Sequence, residues 1–108
     1  MSDIRTKIQT ALTNVGAPAQ ELKRPDAFPG ISYDISDRPA LHADGVEAET
    51  EYTVQIDVWT KTDYKTIAAA VNAGMKAQGF VRYDSAGLYD SETNTYQKAL
   101  RYRITMPV

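Results

Sequence analysis

The stretch TEYTVQIDVWTK, residues 50–61, decides the fold. Tyr52, Val54, Ile56 and Val58 fall on one side of an extended chain, and Thr53, Gln55, Asp57 and Trp59 on the other. A period of two with one apolar and one polar face is the pattern of a half-buried strand. The apolar side belongs to a core. Trp59 ends the strand on the opposite side, where it is exposed or held by a partner if no helix covers it.

Downstream, TDYKTIAAAVNAGMKAQG, residues 62–79, changes the period to that of a helix. Asp63 is placed to cap it, Tyr64, Ile67, Ala68, Val71 and Met75 trace its apolar stripe, and Gly79 ends it. Then FVRYDSAGLYD (80–90) and TYQKALRYRITM (95–106) form a hairpin through SETN. In its second strand Tyr96, Lys98, Leu100, Tyr102, Ile104 and Met106 share one face, and Gln97, Ala99, Arg101, Arg103 and Thr105 the other. Gly87 inside the first strand predicts a bulge or kink there.

Upstream, GISYDIS (30–36) alternates as another half-buried strand. Between it and the deciding stretch, residues 37–49, DRPALHADGVEAE, have no period and contain Pro39 and Asp44-Gly45. They read as a long loop, and a long loop in a compact domain is more often functional or disordered than idle. Residues 17–30 hold three prolines and one glycine, which implies extended chain with a short edge strand near Gln20 to Lys23. Ile4, Ile8, Leu12 and Val15 give the first segment a helical stripe, with Ser2 as cap, Asp3 facing the helix dipole, and Gly16 and Pro18 as stops. The expected fold is α+β, a mostly antiparallel sheet of four to five strands with two helices packed on one face. A length of 108 residues suits one domain over 1–108.

Composition narrows the function. A net charge of −2 with no basic stripe speaks against a dedicated nucleic-acid binder. The absence of cysteine excludes a thiolate metal site and a cysteine nucleophile. The N-terminus lacks the apolar core of a signal peptide and no window reaches transmembrane length, so a soluble intracellular protein is expected.

Few residues invite chemistry. His42, the only histidine, stands two residues before Asp44. Together they suit half a metal site or a base with its orienting carboxylate, but no second histidine or cysteine completes a ligand set. No nucleophile elbow, phosphate loop or calcium loop occurs. Asp57 reads either as a buried functional carboxylate or as an open-face acid paired with Arg101 or Arg103. Those arginines, with Tyr83, Tyr89, Tyr96 and Tyr102 nearby, fit stacking on single-stranded nucleic acid, simple packing, or a protein interface, where tyrosine and arginine are enriched. The acidic sum speaks against the first.

One resemblance covers about residues 42–104. It rests on Ala43-Asp44-Gly45 before Tyr52-x-Val-x-Ile-Asp-Val-Trp59, then Ile67-Ala-x-x-Val71 running on through Met75 to Gly79-Phe80, then Leu88-Tyr89-Asp90 and Tyr96-x-Lys98. In order and spacing these resemble the tail-completion and tail-terminator (head–tail joining) proteins of long-tailed phages and prophages. Gln97 departs from that pattern, where a histidine would be expected. The resemblance implies a structural, non-enzymatic virion protein without cofactor or metal. It would cap the head-proximal end of the tail tube as a homo-oligomeric ring, commonly a hexamer, and form part of the head–tail interface. Its partners would be its own copies, the tail tube protein and a neck or head-completion protein, with DNA passing through the lumen without specific binding and no membrane involved. Its place would be the tail or neck of the virion, and the host cytoplasm during assembly. Within that frame Gln55, Asp57, Trp59, Tyr89, Arg101 and Arg103, with His42 and Asp44 on the loop, are the expected interface residues. The rivals are another neck component, such as a head-completion or stopper protein, and a small binding module unrelated to assembly.

Overall fold

Strand β3 (Val46–Thr60) runs the length of the molecule, paired on both sides. The structure, a computed structural model, describes residues 2–43 and 46–107, and the side chains of all of these except 2, 3, 41–43, 46 and 47. The chain order is α1 (Ser2–Ala11), β1 (Ala19–Glu21), β2 (Gly30–Ala43), β3, α2 (Lys65–Ala77), β4 (Val81–Asp90) and β5 (Thr95–Pro107). One five-stranded sheet has the order β1-β2-β3-β5-β4. Three pairings are antiparallel and β1 joins β2 in parallel, so the α+β sheet is mixed, with an antiparallel majority.

The alternation of β3 is obeyed. Val54, Ile56 and Val58 are fully buried, and across from them so are Ile31 on β2 and Leu100 and Tyr102 on β5. Both helices lie on this side. Ile4, Ile8, Leu12 and Val15 from the first segment and Val71 and Met75 from α2 complete one apolar cluster. Regular helix ends at Ala11, short of the expected stop. Asn14 (φ 63°) and Gly16 (φ 97°) turn the chain through left-handed conformations that still carry Val15 inward. The expected capping by Ser2 and Asp3 falls on side chains outside the described set. α1 is tied to β1 by Arg5, whose Nε and Nη2 each donate to the Glu21 carboxylate at 2.9 Å. That forked bond holds the Glu21 carboxyl below its ordinary range.

Helix α2 begins and ends as its sequence implies. The Asp63 carboxylate accepts the Lys65 amide at 2.9 Å, serving a donor the helix cannot use. At the other end Gly79 adopts φ 92°. The Gly79 amide bonds to the Lys76 carbonyl and the Phe80 amide to the Met75 carbonyl, with Phe80 buried beside Met75. This is the paired-bond left-handed ending that glycine favours. Gly74 has a different reason: any Cβ there would land on the Ala11 carbonyl oxygen, so its lack of side chain sets how closely α2 approaches α1.

Two expectations are overturned. Residues 37–49 are not a loop: they are the outer half of the β2–β3 hairpin, paired from Asp37–Tyr52 through Ala43–Val46. Asp44 and Gly45, the turn read from the sequence, lie outside the described residues. β5 reaches only as far as Glu49, opposite Pro107, so the hairpin continues beyond it as a two-stranded arm. An arm with no layer upon it needs no apolar face, which is why no period marks it. Its register slips around Leu41, following Pro39, which cannot donate to a ladder. The second correction concerns Gly87. The register shift in β4 falls between Arg82 and Asp84, at Tyr83. Gly87 instead makes room for α2's flank, since a Cβ there would stand 2.8 Å from the Tyr64 hydroxyl. The short strand expected near Gln20 is present as β1.

Gly74→Ala should therefore push α2 off α1 and destabilise the fold by about 1–3 kcal/mol; urea denaturation against the parent protein measures this, and a neutral result would mean the helices separate freely. Tyr102 gives a second expectation. Its ring is fully buried, its hydroxyl donates to Asn72 Oδ1 at 3.0 Å, and burial pushes its pKa from 10.0 to about 12. The folded state thus keeps a proton that the unfolded chain gives up, so this group's stabilisation is complete below pH 10 and drains away as pH rises towards 12. Thermal melts between those limits should show a falling Tm whose slope is shallower in Tyr102→Phe.

Candidate functional site

Two helices cover one side of the sheet, and the other side is left as a broad surface of β2, β3, β5 and β4. Strand parity sends Gln55, Asp57 and Trp59 to it from β3, and Gln97, Arg101 and Arg103 from β5. The register then places Gln55 beside Arg101, Asp57 beside Ala99 and Trp59 beside Gln97. From this order a continuous hydrogen-bonded row follows. Arg101 Nη1 donates to Asp84 Oδ2 at 2.6 Å, and its Nε donates to Gln55 Oε1 at 3.1 Å. The Gln55 amide donates onward to both oxygens of Asp57 at 3.2 and 3.3 Å. From the far side the Gln97 amide reaches Asp57 Oδ1 at 3.2 Å. Asp57 is thus an open-face acid, as one of its two readings had it, but its partners are two amides and not an arginine. Ala99 occupies the place directly opposite, and Arg101, one diagonal step away, turns to Asp84 on its other neighbour.

Trp59 closes the row. Its indole Nε1 donates to Ser32 Oγ at 3.0 Å on β2, and the Arg24 guanidinium lies 4.6 Å above its ring. The tryptophan is consequently half-buried and oriented. Arg103 stands apart from the row on the same face, 5.8 Å over the Tyr83 ring. Tyr89 does not join them. It points to the helix side, tilted against Tyr96 at 4.7 Å, with its hydroxyl donating to Asn94 at 2.8 Å. His42 is known here only by its backbone, in the arm opposite Glu47, and Asp44 lies outside the described residues.

Strand β4 forms the sheet's edge and is exposed at every residue. Val81 at 56%, Tyr83 at 47% and Leu88 at 63% exposure line its outer course, an apolar margin beside the polar row. Where β4 turns into β5, an open groove of about 500 Å³ is walled by Trp59, Tyr89, Arg24, Asp90 and Glu92. In that turn Asp90 accepts the Glu92 amide at 2.9 Å, which with bonds from Thr93 holds its carboxyl below the usual range. Among the described residues no three His, Asp or Glu side chains gather as a metal site. Every buried side-chain polar atom described has a hydrogen-bond partner. Asp84, Ser32, Arg24 and Gln97 were not among the interface residues expected from sequence. Gln97 was legible by parity alone, whereas Asp84 joins the face only because of the bulge at Tyr83.

Comparison with known proteins adds the context. The model of the family described as tail completion protein gp17 matches residues 2–106. No curated protein matches the chain. A solved chain from the "Virion of native gene transfer agent (GTA) particle" superposes with a TM-score of 0.59 at 16% identity, over 97% of this chain and 92% of that one. At that identity the likeness is one of fold.

The two faces of β3 should differ in energy. Asp57→Ala and Arg101→Ala act on half-exposed, water-accessible bonds and should each cost less than about 1 kcal/mol. Ile56→Ala, next to Asp57 in sequence but fully buried, should cost about 2–5 kcal/mol. Chemical denaturation of the three variants measures the contrast, and equal costs would contradict the assignment of faces.

Proposed function

The chain belongs to the tail completion protein gp17 family, structural components of the phage tail, and from that premise we propose that it caps the head-proximal end of a tail tube as a ring. The observation carrying this reading is the uncovered sheet face with its prearranged polar row and apolar β4 margin. Groups already locked by mutual hydrogen bonds lose little freedom on docking, which suits a surface built for another protein. Aromatic and arginine side chains at Trp59, Arg24, Arg101 and Arg103 are the types that dominate such contacts. Structural membership of the family supports a role without catalysis.

A ring repeats one contact, and that contact joins two different surfaces of each copy. The open face with Gln55, Asp57, Trp59, Arg101 and Arg103 is one such surface in this reading, and the segment of His42 and Asp44, the latter outside the described residues, is the one we read as reaching a neighbour or the tail tube. Tyr89 contributes from the end of β4, on the helix side. The partners are further copies, the tail tube protein and a neck or head-completion protein, and assembly takes place in the host cytoplasm. A net-negative ring lets DNA pass through its lumen without holding it.

Light scattering after size exclusion, over a range of concentrations, tests this directly. Six copies of the 12.0 kDa chain would give a species of about 72 kDa. Trp59→Ala combined with Arg101→Glu should leave the monomer folded, since both side chains lie off the core, and should weaken association. Collapse of the monomer would mean that this face is structural; unchanged association would remove it from the contact.

A further inference from the structure

The chain's one tryptophan is covered by an arginine of the same chain. Arg24 belongs to the segment between β1 and β2, and its guanidinium rests 4.6 Å above the Trp59 ring. The backbone of that segment is held on both sides of Arg24. The Leu22 amide bonds to the Tyr33 carbonyl at 2.8 Å, and the Pro25 ring fills the space that a Cβ at Gly30 would need. The side chain itself is free to move. Arg24 is exposed, and it has no carboxylate partner among the described ion pairs. The ring beneath it is oriented independently, by the indole bond to Ser32 Oγ.

Arg24 and Trp59 line the open groove of about 500 Å³, and Asp90 and Glu92 line it with them. The Asp90 carboxyl is held down chiefly by the Glu92 amide, then by bonds from Thr93, and last by the charge of Arg24, so that charge is felt across the groove. Asp90 Oδ1 is already engaged by the Glu92 amide, whereas the Glu92 carboxylate meets no cation among the described ion pairs. The groove thus offers the guanidinium two seats, the indole face and Glu92. We propose that Arg24 is a two-position latch on Trp59, closed when stacked on the ring and open when swung across the groove to Glu92. An exposed cation–π contact and an exposed ion pair stabilise by similarly small amounts, so neither seat wins by much. A partner that binds one state better tips such a balance. When the latch is open, the ring is a bare aromatic surface of the kind that anchors protein contacts. When it is closed, that surface is hidden from a second copy, and docking is held back by the fraction of time spent closed. This consequence rests on the ring reading above; the latch itself does not.

Because Trp59 is the sole tryptophan, acrylamide quenching of its emission reads the latch directly. In dilute protein Arg24→Ala should raise the quenching constant. Glu92→Gln, which removes the second seat, should lower it, and circular dichroism should stay unchanged in both. Light scattering over a range of concentrations reads the consequence. Arg24→Ala should tighten self-association about two- to five-fold, the factor by which an exposed cation–π contact favours the closed position. Quenching that ignores both substitutions overturns the latch, whether or not rings form. Raised quenching in Arg24→Ala together with weakened association would make Arg24 a contact residue and overturn the latch as a control of docking. The expected quenching shifts with monomers at every concentration would support the latch and refute the ring reading alone.

Discussion

Helix length is the constraint from which the rest of the molecule follows. α1 and α2 have 10 and 13 residues, and so span about 15 and 20 Å. The central strand has 15 residues, or close to 50 Å. Two short helices cannot cover both sides of a five-stranded sheet, nor even the whole length of one side. The core therefore gathers under the helices, where Val54, Ile56, Val58, Leu100 and Tyr102 meet Ile4, Ile8, Val71 and Met75. Three surfaces remain without a second layer: the far face of the sheet, the β4 edge and the β2–β3 arm. These are the surfaces on which the proposed contacts lie.

Keeping an uncovered sheet face soluble needs side chains that are polar yet fixed. The row from Asp84 through Arg101, Gln55 and Asp57 to Gln97 meets that need. Each member is half-buried or exposed, and each hydrogen bond runs from a donor to an acceptor without a leftover buried atom. The row leaves the face able to dock a partner by adding contacts at its ends, where Trp59 and Tyr83 lie under arginines. The exposed edge of β4 is the less protected part. Its bulge at Tyr83 is a common device for interrupting a free edge.

Where residues pack against a core, the sequence announces it. The faces of β3 and β5, the apolar stripes of both helices and the glycine ending of α2 all follow from periods imposed by burial. Where no layer is present, the signal vanishes, and 37–49 reads as a loop although it is paired strand. Partners on the open face were legible by parity but not by register. Only the observed pairing puts Ala99 opposite Asp57 and brings Asp84 within reach of Arg101. Gly87 was misread for a related reason, since what a side chain there would meet is the Tyr64 hydroxyl, from a residue distant in sequence.

The same division explains how a fold can be shared with a virion chain at 16% identity. What the fold requires is alternation in the strands, two covering helices and small residues where backbones meet, as at Gly74 against Ala11. Many sequences meet those terms. Function in a structural tail protein is carried by surfaces more than by a few atoms held in a cleft, and surfaces leave no short motif to be found. On the reading proposed above, it depends on which uncovered surfaces match, copy to copy and ring to tube. Such matching is carried by charge and shape spread over many positions, free to change as long as both partners change together.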